Sequence, residues 1–153
     1  MTGTEYAKAV AKYVATKYGY RGIKVFQEVP FGRTIIGKKR FLDILVVHLE
    51  ERKAFALECK FQDSSGSADE KLMYALENIK ALHIQGCVVY AGKGFSKQFV
   101  SLLESDSRAV FCSPADTQTE ELDHVLAVYF GWWDIVVSGL SAVRIKDEDK
   151  PNL

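Results

Sequence analysis

Two short apolar segments carry charge where a core strand ordinarily has none, and they limit the folds open to this chain more than any other feature. Phe41-Leu42-Asp43-Ile44-Leu45-Val46-Val47 is the first, and Ala54-Phe55-Ala56-Leu57-Glu58-Cys59-Lys60 is the second. The polar stretch Glu50-Glu51-Arg52-Lys53 separates them, so the pair reads as two adjoining strands joined by a turn. An acid inside one buried strand, with an acid and a lysine inside its neighbour, is costly to bury. Such charges persist in an apolar run when they are paired or hold a metal ion.

Strand parity brings the three charges together. Side chains alternate faces, so Phe41, Asp43, Leu45 and Val47 share one face, and Ala54, Ala56, Glu58 and Lys60 share one on the second strand. An even-length turn at Glu51-Arg52 pairs odd residues with even ones and sets Asp43 beside Glu58 and Lys60. Ala54 and Ala56 are small and leave room on that face. Two carboxylates near a lysine can hold Mg²⁺, a hard ion that prefers oxygen ligands and keeps several waters. A buried Asp43–Lys60 or Glu58–Lys60 ion pair is the plainer reading of the same residues.

The surrounding pattern predicts an α/β fold. A helix is expected from Thr4 to about Tyr18, with Tyr6, Val10, Tyr13 and Val14 on its apolar stripe, capped by Thr2 or Thr4 and ended by Gly19. Ile23 to Phe31 alternates as a half-buried strand, with Gln27 in one of its apolar slots. Gly32 to Arg40 reads as a basic, glycine-containing loop. Ser67-Ala68-Asp69-Glu70 is a capping box opening a helix to about Leu82, with Leu72, Ala75, Leu76 and Ile79 inward. Cys87–Ala91 is a fully buried strand, Ser96–Leu103 a short helix, Ala109–Cys112 a short strand, and Thr119–Phe130 a last helix. The order α-β-β-β-α-β-α-β-α implies a mixed central sheet flanked by helices. Without an internal repeat or linker, residues 1–153 read as a single domain with a frayed tail from 146 to 153.

Composition removes several classes of function. The formal net charge of +0 argues against a protein that coats nucleic acid nonspecifically, although it can conceal a basic face. No apolar run approaches a membrane span, and the N-terminus lacks the plan of a signal peptide. Cys59, Cys87 and Cys112 are odd in number and each lies in an apolar context, as buried free thiols in a reducing cytoplasm would.

Leu42-Asp43 followed by Glu58-Cys59-Lys60 resembles the motif of the PD-(D/E)XK nuclease superfamily, with Leu42 where that motif often has proline. The order of elements agrees over most of the chain. The resemblance implies a restriction-endonuclease-like or Holliday-junction-resolvase-like core that hydrolyses DNA phosphodiester bonds with Mg²⁺ or Mn²⁺, as an endonuclease. It makes Asp43 and Glu58 metal ligands, aided by the Cys59 carbonyl, and Lys60 the catalytic lysine. Members often carry a further metal-binding glutamate on the opening helix, here Glu5, and a glutamine after the lysine, here Gln62. It also makes a homodimer a natural expectation, since many small nucleases dimerise to cut two strands. The competing expectation is a nucleic-acid-binding subunit of the same fold that lacks independent catalysis.

DNA contacts are expected from the basic loop Arg33, Lys38, Lys39 and Arg40, which feeds the first charged strand. Ser67 at the opening of a helix and Lys93 in Gly92-Lys93-Gly94 are further phosphate contacts. That glycine pair lacks the third glycine of a dinucleotide-binding loop. His48, His83 and His124 form no pattern. The aromatics Tyr129, Phe130, Trp132 and Trp133 suit a core or a subunit interface.

Overall fold

Helix α1 (Gly3–Tyr18) begins with a reciprocal cap. The Thr2 hydroxyl accepts from the Glu5 N–H at 3.1 Å, and the Glu5 carboxylate accepts from the Thr2 N–H at 2.9 Å. Tyr6, Val10 and Val14 then face the core, and Gly19 ends the helix. The computed structural model describes residues 1–63 and 68–152.

Strands β1 (Ile23–Arg33), β2 (Lys39–His48) and β3 (Lys53–Phe61) form an antiparallel meander. β1 runs further than its sequence suggests. The ladder shifts register between Pro30 and Arg33, where Gly32 has φ +67°, and resumes at Arg33 opposite Lys39. A bulge with a left-handed glycine lets the pairing continue through a segment that reads as loop. Pro30 is tolerated because β1 is an edge strand.

Helix α2 (Ala68–Lys80) leads to β4 (Gly86–Ala91), parallel to β3, and α3 (Lys97–Glu104) leads to β5 (Ala109–Phe111), parallel to β4. The five-stranded mixed sheet has the order β1-β2-β3-β4-β5. Helix α4 (Glu120–Phe130) follows, then Gly131 at φ +77° and the short α5 (Trp133–Val136). The expected mixed sheet with flanking helices is what forms. The capping box expected at Ser67 lies outside the described residues.

The unbroken apolar run of β4 serves two cores. Cys87, Val89 and Ala91 join α1 and α4 on one face, while Val88 and Tyr90 meet Leu72, Leu76 and Ile79 of α2 on the other. Cys59, Cys87 and Cys112 are free and buried, as expected. Phe130 and Trp132 stack in the core with centroids 5.2 Å apart, whereas Trp133 is exposed.

One polar cluster ties α1 to α4. The Asp123 carboxylate accepts hydrogen bonds from the Tyr13, Tyr18 and Thr119 hydroxyls and pairs with Lys17. No helix among the described residues is long and apolar enough to cross a membrane.

Candidate active site

Strands β2 and β3 pair regularly from His48 opposite Lys53 to Ile44 opposite Leu57, odd residues against even. At the next position, carboxylates reach across the strands to backbone groups. The Asp43 N–H donates to Glu58 Oε1 at 3.3 Å, and the Cys59 N–H donates to Asp43 Oδ2 at 2.8 Å. Each carboxylate is therefore held by the backbone of the neighbouring strand.

Two carboxyl groups so placed compete for charge. Burial, followed by the Asp43 charge, pushes the Glu58 carboxyl up to about 8, against the pull of the Asp43 N–H and the Lys60 ammonium. A cation between the two would relieve that repulsion. The donors are hard oxygens, which fit Mg²⁺ or Mn²⁺ better than a soft ion. Among the described residues no group of three or more His, Cys, Asp or Glu side chains converges on one point.

Asp43 and Lys60 open into a cavity of about 270 Å³. The start of α1 contributes Thr4 and Lys8 to its wall, and β1 contributes Gln27 and Glu28. Glu28 lies in the ladder between the pairs Gln27–Ile44 and Val29–Leu42, opposite Asp43, with φ +50°. A left-handed glutamate is strained backbone, and here it borders the candidate centre.

Lys8, Gln27 and Glu28 were not singled out by sequence reasoning. The one signal was Gln27, a polar residue in an apolar slot of an alternating strand. Other expected residues are placed differently. Glu5 is committed to the α1 cap and is absent from the cavity wall, because its carboxylate satisfies the Thr2 N–H instead. Gln62 follows β3, and its backbone is clamped to the next loop: its N–H donates to the Ala91 carbonyl and its carbonyl accepts from Gly94. Gly92, at φ +105°, has no room for a Cβ against that Gln62 backbone.

Of the basic residues, Arg33, Lys38, Lys39 and Lys93 are exposed. Arg40 is a correction. It is only 6% exposed, and its guanidinium donates to the Asn78 carbonyl at 2.9 Å and to Asn78 Oδ1 at 3.1 Å. It pins β2 to α2 and does not face solvent. Ser67 lies outside the described residues.

A family model described as the PD-(D/E)XK nuclease superfamily domain matches residues 2–133. Among solved structures, a protein of unknown function, AF1548, aligns over 82% of this chain and 67% of its own, at 12% identity and a TM-score of 0.48. A repair endonuclease from Pyrococcus abyssi aligns over 68% of this chain and 44% of its own, at 16% identity and a TM-score of 0.40. EndoMS in complex with double-stranded DNA aligns over 72% and 44%, at 18% identity and a TM-score of 0.40. The chain thus spans less than half the length of the two endonucleases. No protein among the curated sequences matches it.

Proposed function

This chain belongs to the PD-(D/E)XK nuclease superfamily, and on that premise we propose that it is a deoxyribonuclease that cuts DNA internally with the help of Mg²⁺ or Mn²⁺. The observation that carries the reading is the interlocked pair Asp43 and Glu58 at the end of the β2–β3 ladder, with Lys60 in the same cavity as Asp43.

Asp43, Glu58 and the Cys59 carbonyl would hold the ion. When bound, it polarises a phosphoryl oxygen and makes a water more acidic. The chain's own residues do the rest. The Cys59 and Asp43 amides fix the two carboxylates before substrate arrives, so little reorganisation remains for the reaction. The Lys60 ammonium presents three donors to the cavity and stabilises negative charge as it develops on the phosphate. Gln27 and Lys8 stand where they could meet the scissile phosphate or its neighbour. Exposed Arg33, Lys38, Lys39 and Lys93 supply backbone contacts that salt weakens. Gln62 is close in sequence to Lys60, and its side chain would act at the rim. One such centre cuts one strand, so a duplex break calls for two copies or two events.

The test is cleavage of duplex, single-stranded and branched DNA with and without divalent ion, by wild type and Lys60→Ala. Ion-dependent cutting by the wild type alone is expected. Equal activity in both proteins, or none in either at high enzyme, overturns the proposal. The second reading is a DNA-binding subunit of the same fold without catalysis. Calorimetry with Mn²⁺ separates them: DNA binding without any ion binding supports the subunit.

A further inference from the structure

The tip of the β1–β2 hairpin carries a feature the catalytic reading does not use. Ile35 and Ile36 are adjacent there, 53% and 62% exposed. Hairpin turns are ordinarily built from Gly, Asn and Asp, and β-branched residues in them gain nothing from the turn itself. Arg33 precedes the pair, and Lys38 and Lys39 follow it, all exposed.

The tip is also held firmly. The Thr34 N–H donates to the Lys38 carbonyl at 2.7 Å, the Gly37 N–H donates to the Thr34 carbonyl at 2.9 Å, and Arg33 Nη1 donates to the Gly37 carbonyl at 2.9 Å. The Ile35 N–H donates to Asn78 Oδ1 at 3.3 Å, the same oxygen that accepts from Arg40. Asn78 is 8% exposed and donates back to the Tyr74 carbonyl. Two buried polar side chains thus anchor the turn to α2. A turn fixed this way presents its isoleucines outward without first losing conformational freedom.

A rigid apolar tip between cations fits one partner well: duplex DNA, with the cations on phosphates and the isoleucines at a base step. Resting on the reading that this chain acts on DNA, we propose that Ile35 and Ile36 form a wedge that enters the base stack beside the cleavage site, with Arg40 and Asn78 as the residues that position it. Unstacking a step costs energy that apolar burial and phosphate contacts offset, and it kinks the duplex at that step. Ile36 and Asp43 are seven positions apart, at most about 25 Å of chain. At about 3.4 Å per base pair the opened step lies within about seven base pairs of the cut.

The experiment uses duplexes carrying 2-aminopurine at successive positions, with the full chain in EDTA so that nothing is cut. The wild type should raise the fluorescence at one step, within about seven base pairs of the separately mapped cut. Ile35→Ser/Ile36→Ser, and the single Ile36→Ser, should melt like the wild type, abolish that signal and weaken binding about tenfold or more. Asn78→Ala should reduce the signal less completely. If the wild type binds and cuts DNA without unstacking, or the isoleucine variants unstack normally, the wedge is wrong and the nuclease reading stands. Failure of the wild type to bind any duplex overturns the wedge, while the nuclease reading falls only if the cleavage assay on duplex, single-stranded and branched DNA fails as well.

Discussion

The Cys59 amide donates to Oδ2 of Asp43 at 2.8 Å, so an acid on one strand takes its position from the backbone of the next. That bond makes Asp43→Asn an informative substitution. The asparagine oxygen can still accept from Cys59, so the fold should hold, while a charged ligand is lost. Calorimetry should show at least about tenfold weaker Mn²⁺ binding, with an unchanged circular dichroism spectrum. Undiminished ion affinity would show that Asp43 is not a ligand.

Lys60→Ala should lower turnover on the order of 10²-fold or more and leave the melting temperature close to that of the wild type. Lys60 is half-buried, in the wall of an open cavity rather than in the core. Single-turnover cleavage under saturating ion is the relevant measurement, since it separates the chemical step from ion binding.

Glu58 gives the ion-free protein an unusual dependence on pH. Its folded carboxyl titrates near 8, well above that of an unfolded glutamate, so the folded state binds the extra proton between those limits. Stability should therefore fall as pH rises from about 5 to about 8, by on the order of 3 kcal/mol. Thermal melts in EDTA at pH 5, 6.5 and 8 would show it. Saturating Mg²⁺ should flatten the decline, and Asp43→Asn should make it shallower by removing the neighbouring charge. A stability that climbs over this range would contradict the assignment.

Glu28 should show activity and stability moving apart. Its φ of +50° suits glycine better than glutamate, so Glu28→Gly should fold as well as the wild type or gain up to about 1 kcal/mol. The same substitution removes a side chain from the wall of the cavity that Asp43 and Lys60 share, and cleavage should drop about tenfold or more. Urea unfolding and the cleavage assay, run on one preparation, test both halves.

Asp123→Ala should be costly at a distance from the chemistry. It leaves the Tyr13, Tyr18 and Thr119 hydroxyls and the Lys17 ammonium without their shared acceptor, a loss of about 2–4 kcal/mol. Because α1 contributes Thr4 and Lys8 to the cavity, activity should weaken too, and partial recovery is expected in Asp123→Asn. Urea titration gives the first quantity.

The sequence made the centre legible because strand parity depends only on counting. An even turn put Asp43, Glu58 and Lys60 on one face, but the turn spans residues 49–52 rather than Glu51-Arg52 alone, and that longer turn makes Glu58 rather than Lys60 the residue opposite Asp43. Glu5 was expected as a metal ligand, although Thr2-x-x-Glu5 has the spacing of a capping box and the helix uses it that way. Arg40 was not legible. Four basic residues in one loop read as exposed DNA contacts, and only the fold brings in Asn78, 38 residues away, to bury one of them. Glu28 was hidden for a similar reason: a left-handed φ leaves no mark on an alternating pattern.

The three buried cysteines turn the molecule into a clock of its own opening. Burial pushes each thiol far up, and each is shut inside the core face shared by α1 and α4. A thiol reagent should therefore wait for the core to open, and Cys59 sits between Glu58 and Lys60 on the strand that bears the chemistry. Its labelling rate would time the breathing of that strand directly, and slowing by Mn²⁺ would report the ion closing it. A cysteine introduced at the hairpin tip would react at once against that silent background, giving a single attachment point for a dye.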